Sequence, residues 1–317
     1  MAEALVRYRS SDEDSARWEG FRFRSGDIVI STRSKSGTTW MQMICALLVL
    51  QTPDLPAPLS ELSPWLDWLI TPREQVFARL EAQQHRRFIK THTPLDGIPL
   101  SPLATYIVVG RHPLDAAVSL YYQGSNINRE RLAELTGVAP DQPRPDSPPR
   151  PKLRDWLLRW IDRDDSPVES PDNLRGVLWH VSDAWARRAD PGIDGPQVVL
   201  VHYDELQANL ELEMRRLADR LAIVVAPELW PALVRAATFA QMRAKAAQKA
   251  PDPAGVLRDP AAFFRRGYSG AAAEVLTAAE IAHYHDRSAG FAPAEVLSWL
   301  HQNEAAGPGR THQAMAG

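Results

Sequence analysis

Asp27-Ile28-Val29-Ile30-Ser31, followed by Thr32-Arg33-Ser34-Lys35-Ser36-Gly37 and then by Thr38-Thr39-Trp40 running on to Leu50, is the stretch that decides the fold. Its first five residues are a compact β-branched run, which reads as a buried strand. The run from Thr38 carries a helical pattern. Strand, short polar loop and helix in that order open a parallel α/β sheet. Three more runs repeat the strand signal: Arg87-Phe88-Ile89-Lys90, Thr105-Tyr106-Ile107-Val108-Val109 and Gln197-Val198-Val199-Leu200-Val201. The last two lead into helical patterns over 113–123 and 204–222. Near-continuous apolar strands alternating with helices predict a doubly wound sheet covered on both faces, whose ligands sit outside the carboxyl ends of the strands.

The chain has 317 residues, 44% hydrophobic and 24% charged, with a formal charge of −3. That balance argues against a partner held by bulk positive charge, so neither nucleic acid nor an anionic membrane is expected, while a local basic pocket stays allowed. Cys45 is the single cysteine, which excludes an intrachain disulfide or a cysteine-based zinc site and fits a reducing cytoplasm. The most apolar run, 40–50, is about half of the ~20 residues that span a bilayer. Met1-Ala2-Glu3 and then Asp12-Glu13-Asp14 are unlike a secretory signal. Six prolines crowd residues 139–151, which predicts a loop or lid there, and 305–317 reads as a disordered tail.

The loop between the first strand and its helix carries the chemistry. A helix N-terminus offers unpaired N–H groups and partial positive charge. Lys35 adds a full charge, and Ser36, Thr38 and Thr39 add hydroxyls around Gly37. Together they form an anion cradle. A Walker A loop ends Gly-Lys-Ser/Thr and carries its hydroxyl to magnesium. Here the lysine precedes the glycine, which disfavours a kinase or ATPase.

Lys35-Ser36-Gly37-Thr38-Thr39-Trp40 resembles the 5′-phosphosulfate loop of the sulfotransferases that use 3′-phosphoadenosine 5′-phosphosulfate (PAPS). Leu62-Ser63-Pro64-Trp65-Leu66-Asp67, residues 84–94 ending Lys90-Thr91-His92-Thr93-Pro94, and Phe263-Phe264-Arg265-Arg266-Gly267 extend the likeness, which is nearest to the mycobacterial glycolipid sulfotransferases. The resemblance implies a P-loop-like three-layer α/β fold with a central parallel sheet, forming one domain over 1–304. It implies PAPS as co-substrate, 3′-phosphoadenosine 5′-phosphate (PAP) as product, and no metal.

Strand-end position and the motif together make His92 the expected general base, since imidazole suits proton removal near neutrality. By resemblance, Lys90 stabilises the transferring sulfonate and Lys35 the bridging oxygen. Arg111, with its forked donors, and Ser119, two helical turns on, are assigned to the 3′-phosphate, as are Arg265, Arg266 and Gly267. An ion pair between Arg111 and Asp115 is the structural alternative. Trp40, Tyr203, Thr238 and Phe239 match the adenine-facing positions. Two departures stand out: Arg33-Ser34 replaces the usual Tyr-Pro before the loop lysine, and Ala271-Ala272-Ala273 stands where Asp-Trp-Lys often follows, so the oligomeric state stays open.

Trp65, Trp68, Trp156 and Trp160 lie in segments the nucleotide does not need, and aromatics suit sugar faces, lipid chains and aryl rings alike. The expected acceptor is a hydroxyl of a glycolipid or carbohydrate, with transient contact to a membrane surface allowed. The alternatives are a phenol or small alcohol, or a protein that binds PAP or PAPS without catalysis.

Overall fold

The computed structural model describes residues 4–137, 150–188, 195–245, 254–265 and 269–304. The Pro-rich loop up to residue 149, the tail 305–317, Arg266 and Gly267 lie outside them. Four strands, β1 (Asp27–Ser31), β2 (Phe88–Thr91), β3 (Ala104–Gly110) and β4 (Gln197–His202), form a parallel sheet in the order β2-β1-β3-β4.

Side chains on successive strand residues point to opposite faces. Ile28 and Ile30 accordingly pack with the helix α1 (Thr38–Leu50), while Val29 joins Trp18, Ile89, Tyr106 and Val108 on the other side. Every residue of β1 is buried. At roughly 1.5–3 kcal/mol per fully buried aliphatic side chain, this strand is a principal anchor of the core. Helices α2 (Pro113–Asn126) and α3 (Leu174–Arg188) pack with the C-terminal helices around Leu178, Tyr284 and Leu300. Helices on both faces of a parallel sheet make the expected three layers.

The strand pairings bring Ser31 beside Thr91 and Val108, and Gly110 beside His202. All four carboxyl ends therefore open on one edge of the sheet. At the opposite end, Arg87 Nε donates to Asp27 Oδ1 over 2.8 Å with both side chains buried, fastening β2 to β1 away from that edge. Gly110 lies under the C-terminal helix Ala294–Leu300: a Cβ there would meet the Trp299 ring at 2.3 Å.

The helix expected over 204–222 is two helices, α4 (Tyr203–Ala208) and a second over Leu210–Arg220. Asn209, with φ −151°, breaks the run and accepts the Leu212 N–H (3.1 Å), starting the second helix as a cap. No described helix is long and apolar enough to cross a membrane.

Candidate active site

The loop after β1 turns by way of two residues with positive φ, Lys35 (+65°) and Gly37 (+102°). The left-handed conformation is costly for lysine, and such strain concentrates at functional loops. Gly37 is required twice over, by its φ and because an added Cβ would stand 2.9 Å from Tyr203 Cδ2. Thr32 and Thr38 join hydroxyl to hydroxyl across the turn. No side chain caps the N-terminus of α1, so its first N–H groups remain available to an anion.

A cavity of about 360 Å³ opens at this edge, and Lys35, Gly37, Thr38, Thr39, Lys90 and His92 all line it. Lys35 Nζ lies 3.8 Å over the Phe263 ring and 3.4 Å from Gln123 Oε1. Burial, then Arg111, Lys90 and Arg265, push its ammonium down to about 7. Lys90 Nζ sits 3.5 Å over the Trp65 ring, and burial pushes it down to about 8. Two lysines whose charge is disfavoured in the free site gain most from an anion between them.

His92 is buried, its ring perpendicular to that of Trp65 with centroids 4.7 Å apart. Its Nδ1 lies 2.5 Å from the Thr32 carbonyl. A carbonyl only accepts, so Nδ1 carries the proton and Nε2 keeps its lone pair. Burial, then Lys90 and Arg33, hold His92 well below the ordinary histidine range, so the ring is neutral at pH 7. Its backbone is braced from two sides. Asp67 Oδ2 accepts the Thr91 and Thr93 hydroxyls at 2.8 Å each and the His92 N–H at 3.3 Å. Arg33 donates to the His92 carbonyl and, over 2.7 Å, to Asp172.

Arg111 turns back onto the loop: its NH1 donates to the Lys35 carbonyl (2.8 Å), and its guanidinium lies 4.3 Å over the Tyr203 ring. Its Nε is buried with no hydrogen-bond partner among the described residues. The pairing with Asp115 is not made; Asp115 accepts the Gly270 and Ala271 N–H groups instead. Ser119 and Arg265 also line the cavity, the latter over the Tyr122 ring at 4.4 Å.

Trp40, Tyr203 and Phe239 complete an aromatic wall, with Trp40 edge-on to Tyr203 at 5.3 Å. Thr238 does not line the cavity: its hydroxyl donates to Arg235 O (2.8 Å) and its side chain caps the helix Phe239–Ala244. Ser36 is buried and does not line the cavity. Trp65 and Trp68 stack at 5.0 Å and line the cavity, whereas Trp160 donates to Asp172 O from the core and Trp156 packs on Tyr121. Asp12, Glu13, Asp67 and Asp172 were not expected at the site. Asp12 and Glu13 read only as an acidic opening and Asp67 only as the end of a matched segment, and the fold brings them together with Asp172. The described His and carboxylate group with metal-ligand spacing, His285, His301 and Glu304, does not line this cavity.

The sulfotransferase domain family matches residues 25–289. The chain belongs to the sulfotransferase family. A glycolipid sulfotransferase of Mycobacterium bovis (strain BCG) is 41% identical to this enzyme, with 95% of each chain aligned. Its Mycobacterium tuberculosis (strain H37Rv) counterpart is 40% identical at the same coverage. Among solved structures, mouse sulfotransferase SULT7A1 complexed with PAP shares the fold, with a TM-score of 0.65 over 92% of each chain at 19% identity. The enzyme is a transferase that moves a sulfonate group.

Proposed function

We propose that this sulfotransferase transfers the sulfonate of PAPS to a hydroxyl of a glycolipid or carbohydrate, with His92 as general base. The observation that carries the reading is the His92 ring: a neutral imidazole, its proton committed to the Thr32 carbonyl, with Nε2 as acceptor in the wall of a cavity that also holds Lys35 and Lys90.

The donor set fits the nucleotide. Uncapped amides at α1, the close backbone approach at Gly37, the unpartnered Nε of Arg111 and the aromatic wall suit two anionic groups and a flat base. Lys35, Thr38 and Thr39 would hold the phosphosulfate, Arg111, Ser119 and Arg265 the 3′-phosphate, and Trp40, Tyr203 and Phe239 the adenine. Arg266 and Gly267 belong to the second set by sequence. When bound, PAPS supplies an activated sulfonate.

The protein's own residues do the rest. His92 Nε2 takes the acceptor's hydroxyl proton, and Thr32 holds the ring in that tautomer. Lys90 and Lys35 present positive charge where negative charge grows, held in place before the reaction begins. Asp67 and Arg33 fix the backbone that carries the base. The two mycobacterial relatives, both called glycolipid sulfotransferases, support the acceptor class. One domain spanning 1–304 and a cytoplasmic setting complete the reading.

The test is to incubate the enzyme and labelled PAPS with host lipid extracts and search by mass spectrometry for acceptors gaining a sulfonate. Sulfonated glycolipids are expected. Transfer confined to phenols or small alcohols would replace the acceptor class, and no transfer to any acceptor in a broad panel would reject catalysis.

A further inference from the structure

The cavity is electrically divided. Among the described residues, the charges that act most on Lys35 are the cations Arg111, Lys90 and Arg265, whereas those that act most on Lys90 are the carboxyl groups of Glu13, Asp67 and Asp12. Lys90 is thus the border between a cationic half and an acidic one. Two backbone features build the acidic half. Glu13 pairs with Trp68 in an isolated antiparallel bridge, and the Leu69 N–H donates to the Asp12 carbonyl (2.8 Å). The N-terminal segment is thereby laid against the segment carrying Trp65 and Trp68. The same wall holds the stacked indoles, and the Trp65 ring stands perpendicular to the His92 ring. Asp172 completes the rim and spends one oxygen on Arg33.

Each part selects for the same chemistry. The indole pair gives the cavity an apolar wall for the C–H groups of a sugar ring, although Trp68 and Lys90 already cover the two faces of Trp65. Carboxyl groups accept hydrogen bonds from neighbouring hydroxyls. Burial holds Glu13 well above the usual carboxylate range, which lets it also donate to a hydroxyl. An acceptor bringing its own negative charge would meet the carboxylates of Asp12 and Asp172 on this side of the cavity.

We propose that Asp12, Glu13 and the Trp65–Trp68 pair form an acceptor subsite that takes an uncharged, hydroxyl-rich sugar and turns away sugars already bearing an anionic group. This rests on the carbohydrate reading of the acceptor. A sulfonated product carries the excluded charge, so it is a poor acceptor for a second transfer at this site.

Octyl β-glucoside and octyl β-glucuronide test the proposal, because they share ring and chain and differ by one carboxylate. With labelled PAPS, the wild-type enzyme should favour the glucoside by about tenfold or more in kcat/KM, and the double variant Asp12→Asn, Glu13→Gln should narrow that ratio about tenfold by gaining on the glucuronide. Quenching of tryptophan fluorescence in the presence of PAP reads binding without turnover. Saturable quenching by the glucoside, weak with the glucuronide and diminished in Trp68→Leu, is the expected pattern. Equal use or equal binding of the two glycosides by the wild-type enzyme overturns the proposal and leaves the carbohydrate reading intact. An unchanged ratio in the double variant overturns the role of the carboxyl groups. Sulfonation of 4-nitrophenol with no binding of either glycoside rejects the carbohydrate reading itself.

Discussion

Replacing Lys35 by arginine tests whether nucleotide binding is coupled to proton uptake. Burial and the cations around it push the Lys35 ammonium down to about 7. A group with that value is charged in ~90% of free molecules at pH 6 and in only ~10% at pH 8. An anionic phosphate or phosphosulfate beside Nζ favours the charged form. The direction follows: the free site loses this proton as pH rises towards 8, and binding recovers it. Wild-type enzyme should take up ~0.9 proton at Lys35 per PAP bound at pH 8 but ~0.1 at pH 6, and this residue alone should cost ~10-fold in affinity across that range. Arginine stays charged throughout, so Lys35→Arg should bind PAP without this uptake. The ligand's own phosphate ionisation is common to both proteins and cancels in the comparison, and a Lys90→Met background removes the second titrating lysine, whose charge acts on residue 35, from both. Calorimetry in two buffers of different ionisation enthalpy counts the protons. Equal uptake by the wild type and Lys35→Arg at pH 8 would refute the argument.

His92→Ala should lower transfer by ~10²–10⁴-fold and leave PAP affinity within a few fold; lost affinity in calorimetry would move His92 into a binding role. Because the folded His92 sits well below its ordinary range, kcat/KM for the acceptor should hold steady on acidification through pH 6.5, and a fall centred there would contradict the tautomer argument. Arg111→Ala should weaken PAP more than its analogue lacking the 3′-phosphate, and equal weakening in a competition assay would reject the assigned contact. Gly37→Ala combines a positive φ with a 2.9 Å approach to Tyr203, so it should cost ~1–3 kcal/mol and lower the melting temperature by several degrees; an unchanged melt would show that the loop relaxes. Arg33→Met should lower kcat by about tenfold through misplacement of the base, with PAP affinity held and no rescue by Arg33→Lys; unchanged kcat would make the Asp172 link purely structural.

The parts of this protein legible in its sequence are those whose physics is local. β1, the loop and α1 are contiguous, so hydrophobic pattern and turn chemistry identified them together, and α1 occupies the expected Thr38–Leu50. The second strand runs Phe88–Thr91, one residue later than expected, although the Arg87 carbonyl still accepts the Ile28 N–H (2.9 Å). The break at Asn209 was missed because one polar residue does not interrupt an amphipathic pattern, while its capping role depends on the fold. Lys35, Lys90, His92 and Arg111 were singled out by motif and strand-end position, and all four line one cavity. Asp12 and Glu13 were legible only as an acidic opening unlike a signal sequence, and their place at the site arises from bridges to residues more than fifty positions away. The stacking of Arg111 on Tyr203 is equally long-range.

The packing of Trp299 over Gly110 bears on the order in which the molecule can be made. The indole stands where any side chain at Gly110 would stand, directly before the arginine assigned to the 3′-phosphate. That end of β3 therefore stays uncovered on the ribosome until Trp299 has emerged, long after the sheet's own strands. The end of β3 that leads into Arg111 is thus backed by a late-arriving helix, so a nascent or prematurely terminated chain can hold a formed sheet while that strand end lacks its cover.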